Sequence, residues 1–169
     1  MNQKKVQIIG HPGTGKTTLV VDLVRELTKN HARVGTIKHS AHSHELDKPG
    51  KDSFRHRNAG AVPAAMMTQT MAAVYLPRSR DMTPDDLVQR YFSDCDIVLI
   101  EGWISGPHKK IEIIGKSCDR PPLFLQVPGV AALVAGTPLA VRDRMAAQKM
   151  QISVFDRSDI SGIVSAVMA

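Results

Sequence analysis

The chain has 169 residues, a formal net charge of +6 and 43% hydrophobic residues, enough for one domain with a substantial core. Its longest apolar stretches, 97–100 and 130–135, fall far short of a membrane span, and Met1-Asn2-Gln3-Lys4-Lys5 carries no signal-like apolar region, so a soluble, cytoplasmic protein without membrane contact is expected. The positive charge favours acidic partners, whether nucleotide phosphates, an anionic cofactor or nucleic acid, and does not choose among them; four Phe, two Tyr and one Trp, not interleaved with basic residues on one strand, speak against a stacking surface for single-stranded nucleic acid.

The apolar run 6–9 reads as a first strand and leads into Gly10-His11-Pro12-Gly13-Thr14-Gly15-Lys16-Thr17. These eight residues complete the G-x-x-x-x-G-K-[ST] phosphate loop, and a helical pattern over 18–29 follows, with Leu19, Val20, Leu23, Val24 and Leu27 near a 3.6-residue period. Strand, glycine-rich turn and helix in that order present backbone N–H groups at a helix N-terminus, where they cradle phosphates. In this reading Lys16 reaches the β- and γ-phosphates and Thr17 holds Mg²⁺ through its hydroxyl. A lysine at a helix N-terminus is electrostatically unfavourable without an anion, so an ordinary strand-to-helix turn leaves Lys16 unexplained.

Residues 33–38 read as a second strand. The segment 39–50 has no apolar period, contains His39, His42 and His44 and ends in Pro49-Gly50, which makes it a loop near the top of the sheet. The three imidazoles lack a nearby cysteine and the spacing of a closed zinc site, so exposed loop histidines or anion contacts fit better than a metal centre. Asp52-Ser53 caps a short helix running to Gly60, and the β-leaning runs 62–68 and 71–76 pair as a hairpin around Gln69-Thr70. Thr83 caps a further helix that Pro84 starts.

Cys95 opens the run to Ile100, an internal parallel strand ending at Glu101-Gly102. Cys95 and Cys118 are too few and too far apart for a disulfide framework or a thiolate metal site, which suits a reducing compartment. Strands at 110–114 and 123–127, a helix over 139–149, a strand at 152–155 and a helix capped by Ser158 or Asp159 and running to Met168 complete the alternation. The fold class is α/β: a three-layer P-loop NTPase sandwich with a mostly parallel central sheet and a β-hairpin, folded as a single domain over 1–169.

Ligands of such sheets gather beyond the carboxyl ends of the strands. Glu101 emerges there and is placed to organise the water shell of Mg²⁺ or to orient an attacking water. Asp96 starts the same strand at the opposite end and reads as structural. The loop 47–57 crowds acids and bases together; beside a plain solvated loop, it reads as a switch-like segment with Asp47 or Asp52 near Mg²⁺ and Lys51, Arg55 or Arg57 meeting phosphates. Arg55 and Arg57 are two apart and diverge on a helix.

Together, Gly10 to Thr17, Val34-Gly35-Thr36-Ile37-Lys38-His39, the long segment from Asp47 to Ala61 and Leu99-Ile100-Glu101-Gly102-Trp103 resemble the molybdopterin-guanine dinucleotide biosynthesis adapter protein family, MobB. The resemblance implies a commonly dimeric protein that binds GTP with Mg²⁺, hydrolyses it weakly and assists the molybdenum-cofactor guanylyltransferase that attaches GMP to molybdopterin. Molybdopterin or its guanine dinucleotide is then a further ligand, and molybdoenzymes or cofactor-delivery proteins are further partners. It implies nucleotide contacts from Gly10, His11, Pro12, Gly13, Thr14, Gly15, Lys16, Thr17 and Thr18, catalytic roles for Lys16, Glu101, Asp47 and Asp52, and a metal set of Thr17, Asp47 and Glu101. Arg55, Arg57 and Lys110 become contacts to an anionic cofactor or partner.

Three departures bear on the carry-over. There is no N-K-x-D segment to read guanine, and the strand region 131–136 ends in Gly136 where the family often carries an acid; Gly106-Pro107-His108 also alters the loop after Glu101. The residues themselves leave two rivals: a small-molecule kinase or ligase-like enzyme, and a non-hydrolytic nucleotide-dependent module for cofactor delivery.

Overall fold

Near-continuous apolar strands need cover on both faces, and the alternating helices supply it. The computed structural model describes residues 3–79, 81–115 and 120–169; Met1, Asn2 and Cys118 lie outside the described residues. In chain order the elements are β1 (Lys4–Ile9), α1 (Lys16–Lys29), β2 (Val34–Lys38), α2 (Asp52–Asn58), β3 (Ala64–Met67), β4 (Ala72–Tyr75), α3 (Pro84–Tyr91), β5 (Ile97–Glu101), β6 (Lys109–Ile114), β7 (Val130–Ala135), α4 (Val141–Lys149), β8 (Ser153–Asp156) and α5 (Ile160–Met168). They form two compact units, Met1–Ser40 with Pro84–Ala169, and Ala41–Thr83.

The larger unit is a six-stranded sheet in the order β2-β5-β1-β6-β7-β8, with every neighbouring pair parallel. Side chains alternate between faces with period two. Val6, Ile8, Ile97, Leu99, Ile111 and Ile113 therefore share one face, where they pack against Leu19, Leu23 and Leu27 of α1 and Ile163 and Val167 of α5. Each such fully buried aliphatic side chain is worth about 1.5–3 kcal/mol relative to exposure. On the opposite face Val98 and Ile100 pack with Val88 of α3, while Ile9 and Leu133 pack with Phe124 and with Ala147 of α4. This is the mostly parallel three-layer α/β sandwich expected from the sequence.

The step from β5 to β6 has no helix. The connecting residues 102–108 are pinned by Gln7, a fully buried amide in the central strand. Gln7 Nε2 donates to the Trp103 carbonyl, and its Oε1 accepts the His108 amide at 2.9 Å. Gly106 permits the close approach, since a Cβ there would sit 2.4 Å from Gln7 Nε2. A buried amide with both ends satisfied costs little and fixes one loop path.

The smaller unit contains α2 and the antiparallel β3–β4 pair, in the register Ala64↔Tyr75 to Met67↔Ala72; the expected hairpin is present. Its short helix starts at Asp52 without a side-chain cap. Ser53, read from the sequence as part of a cap, instead donates its hydroxyl to Asp47 Oδ1 at 3.0 Å.

Two further sequence expectations are corrected. Residues 123–127 form no strand: Leu123–Leu125 is a 3-10 turn, because Pro121, Pro122 and Pro128 bracket the apolar run and the Leu123 and Phe124 amides donate to Glu112 at 2.7 and 2.8 Å. Cys95 precedes β5 rather than opening it; its amide closes a turn onto the Phe92 carbonyl at 3.0 Å. Asp96, just before β5, behaves as the structural residue expected, with Oδ2 accepting the Arg33 amide at 2.7 Å.

Candidate functional site

The site forms where β1 ends and α1 begins. Gly10 has φ +148°, and a Cβ on it would lie 2.5 Å from the Ile113 carbonyl, so only glycine lets the loop pass β6 this closely. The N-cap of α1 is Gly15, which offers no side-chain acceptor, and the first turn contains no acid. The first amides of a helix have no intrahelical partner; the first such bond here runs from the Leu19 amide to the Gly15 carbonyl at 2.9 Å. The loop therefore ends in uncapped donors and the positive end of a helix dipole, the arrangement that receives phosphate.

Lys16 Nζ donates to the Gly10 and His11 carbonyls, both at 2.8 Å. These bonds arch the side chain back over the loop and leave one of its three N–H donors for an incoming oxygen. Burial pushes the Lys16 ammonium below the ordinary lysine range; Glu101 opposes that shift and Lys38 adds to it. Thr14 Oγ1 donates to the His11 carbonyl at 2.9 Å and stiffens the loop, and His11 Nε2 lies 3.0 Å from the Pro121 carbonyl. Pro12, Gly13, Thr17 and Thr18 are exposed along the loop and helix start.

Glu101 is an acid that the fold brings to this loop. It ends β5 on the face that already carries Ile97 and Leu99, so the strand period aims it at α1. The Thr17 hydroxyl donates to Glu101 Oε1 at 2.8 Å, which leaves the threonine lone pairs on the side away from that carboxylate. Lys38, which faces Glu101 across β2 and β5, places Nζ 3.6 Å from the same oxygen. Uncapped amides, a lysine held at the loop and a hydroxyl–carboxylate pair fit a nucleoside polyphosphate with Mg²⁺.

Lys38 was missed as a site residue by sequence reasoning. The available signal was its position at the carboxyl end of a strand, but only the register shows that it meets Glu101. Lys110 moves the other way: it is buried, with Nζ donating to the Gly106 and His108 carbonyls at 2.7 and 3.4 Å, and so it locks the 102–108 loop instead of facing an anion.

The remaining candidates belong to the Ala41–Thr83 unit. Asp47 is buried, and its Oδ1 accepts the Lys48 amide at 2.8 Å and the Ser53 hydroxyl at 3.0 Å. Its Oδ2 makes no direct hydrogen bond and faces Arg57 Nη1 at 3.5 Å. Arg57 Nη1 also donates to Glu45 Oε1 at 2.8 Å, and its guanidinium lies 5.2 Å from the centroid of the Tyr75 ring, a cation–π contact. Burial works to raise the Asp47 carboxyl, but the Lys48 amide, Ser53, Tyr75 and Arg57 outweigh it and hold it below the usual range. Arg55 and Asp52 are exposed on α2, so the two arginines diverge as their spacing requires. His42 and His44 meet edge to face, with centroids 6.3 Å apart; among the described residues no three His, Cys, Asp or Glu side chains converge on a metal position.

Residues 5–136 match the family Molybdopterin guanine dinucleotide synthesis protein B, MobB. The chain is similar to the molybdopterin-guanine dinucleotide biosynthesis adapter protein of Haemophilus influenzae, 36% identical over 68% of this chain and 65% of that protein. It is also similar to the adapter protein of that name from Escherichia coli, 30% identical over 92% of this chain and 86% of the relative. In fold it resembles the crystal structure of Bacillus subtilis MobB, with TM-score 0.75 and 23% identity over 98% of this chain and 96% of that one.

Proposed function

The chain belongs to the MobB family, and from that premise we propose that it is an adapter in molybdopterin guanine dinucleotide biosynthesis that binds GTP with Mg²⁺, hydrolyses it slowly and assists the guanylyltransferase that joins GMP to molybdopterin. The observation that carries the nucleotide part is the Thr17–Glu101 hydrogen bond at 2.8 Å beneath an uncapped glycine loop. In this reading the amides from Gly13 to Thr18 and Lys16 hold the phosphates and stabilise charge developing on the terminal group. Thr17 and Glu101 would hold Mg²⁺, directly and through its water shell, and the metal would neutralise the β- and γ-oxygens. Glu101 then orients water for attack. Slow turnover follows if no further residue completes the site until a partner arrives.

Asp47 and Asp52 enter the proposal as acids of a partner-responsive segment, Asp47 anchoring it and Asp52 exposed at the start of α2. Arg55, exposed beside it, is the better contact to an anionic cofactor such as molybdopterin or its guanine dinucleotide, because Arg57 is engaged by Glu45 and Asp47. A homodimer in the cytoplasm completes the reading.

Competitive binding of GTP and ATP with Mg²⁺, in the wild type and in Lys16→Ala, tests the proposal. GTP should win, and Lys16→Ala should weaken triphosphate binding by roughly 100-fold, the loss typical of truncating one member of a hydrogen-bonded charge pair. ATP preference would sink the guanine assignment, and unchanged affinity in the variant would sink the role of Lys16. A binding assay with the guanylyltransferase tests the adapter role separately.

A further inference from the structure

We propose that Lys38 reads the terminal phosphate of the nucleotide, so that the Lys38–Glu101 pair gives the site its preference for triphosphate over diphosphate. The inference rests on the nucleotide-binding reading above and adds a specificity residue to it. Lys38 and Glu101 are direct neighbours at the carboxyl ends of two parallel strands, the edge where ligands of such sheets bind. One oxygen, Glu101 Oε1, takes the Thr17 hydroxyl at 2.8 Å and faces Lys38 Nζ at 3.6 Å. Thr17 would hold a Mg²⁺ that neutralises the outer phosphates of the nucleotide. Lys38 shares that oxygen with Thr17 and so stands close to where those outer phosphates would lie, while Lys16 is held to the Gly10 and His11 carbonyls of the loop.

The pair is built to exchange partners. The Lys38 side chain is 69% exposed whereas that of Glu101 is 10% exposed, so the carboxylate is fixed and the lysine stem is free to swing. Ion pairs with an exposed member contribute little to stability, about 0–1 kcal/mol, and releasing Lys38 from Glu101 costs correspondingly little. Charge points the same way. With Lys16 and Lys38 positive and Glu101 negative, these three side chains carry one surplus positive charge. A diphosphate with Mg²⁺ is served by Lys16 and the loop amides, whereas the γ-phosphate brings the additional negative charge that a second lysine would neutralise.

The experiment is equilibrium binding of Mg²⁺·GTP, a non-hydrolysable GTP analogue and Mg²⁺·GDP to the full chain as wild type, Lys38→Ala and Lys38→Arg, with thermal unfolding of each as a control on folding. Lys38→Ala should weaken both triphosphates by about tenfold, the size of one charge-assisted hydrogen bond, while changing GDP affinity by less than about twofold. Lys38→Arg should retain most of the discrimination. Equal losses for triphosphate and diphosphate, or no loss for either, would overturn the inference while leaving nucleotide binding intact. A wild-type chain that binds neither nucleotide would overturn the underlying reading and this inference with it.

Discussion

Glu101 and Asp47 are equally buried, each 7% exposed, yet they are committed in opposite ways. Glu101 spends its carboxylate on the Thr17 hydroxyl and the Lys38 ammonium, two groups that a metal and a phosphate would engage. Asp47 spends its carboxylate on the Lys48 amide, the Ser53 hydroxyl and the Arg57 guanidinium, all within its own unit. Burial alone does not mark a reactive acid; the partners decide. On the reading proposed above, Glu101 is the acid that meets the ligand and Asp47 the one that anchors its own segment.

The contrast can be broken first at Arg57. Removing it strips Asp47 and Glu45 of their cation and Tyr75 of its cation–π partner, so Arg57→Ala should raise amide hydrogen exchange across 41–83 by roughly tenfold, as expected for loosening a local cooperative unit. Nucleotide affinity should change by less than about threefold, since this cluster contains no phosphate-loop residue. Comparable losses in both readouts would mean that the two regions act as one.

Acid offers a gentler version of the same test. Hydrogen bonds from Arg57 and the Asp47 amide outweigh burial and hold the Glu45 carboxyl below its usual range, and Asp47 is held low as well. For acids depressed in the folded state, the added stability is fully present above their unfolded values near pH 4 and is lost as pH falls through the lower folded values. Hydrogen exchange in 41–83 should therefore quicken, beyond its intrinsic pH trend, only as pH drops below about 4. Loosening already present at pH 6 would contradict the carboxylate assignment.

The parts legible in the sequence were those with local causes. The phosphate loop announced itself because strand, glycines, lysine and helix are contiguous, and the β3–β4 hairpin because two β-leaning runs flank a short polar turn. Residues 123–127 misled because Leu123, Phe124, Leu125 and Val127 look like a strand, while the Glu112 carboxylate that captures their amides arrives from β6. Gln7 gave no warning either, since a buried glutamine that pins a crossover is visible only once residues 102–108 pass over β1. The pairing of Lys38 with Glu101 likewise depends on strand register between segments more than sixty positions apart. The sequence placed Glu101 at the site edge but did not show that Thr17 would be its partner.

A Mg²⁺ titration of GTP binding in wild type, Glu101→Gln and Asp47→Asn tests the central contrast most directly. Loss of the Glu101 charge beside Thr17 should raise the Mg²⁺ concentration required by about tenfold, the size of one charge-assisted interaction, whereas Asp47→Asn should leave that requirement within about twofold of wild type. A Mg²⁺ requirement that shifts in Asp47→Asn and stays put in Glu101→Gln would contradict the account.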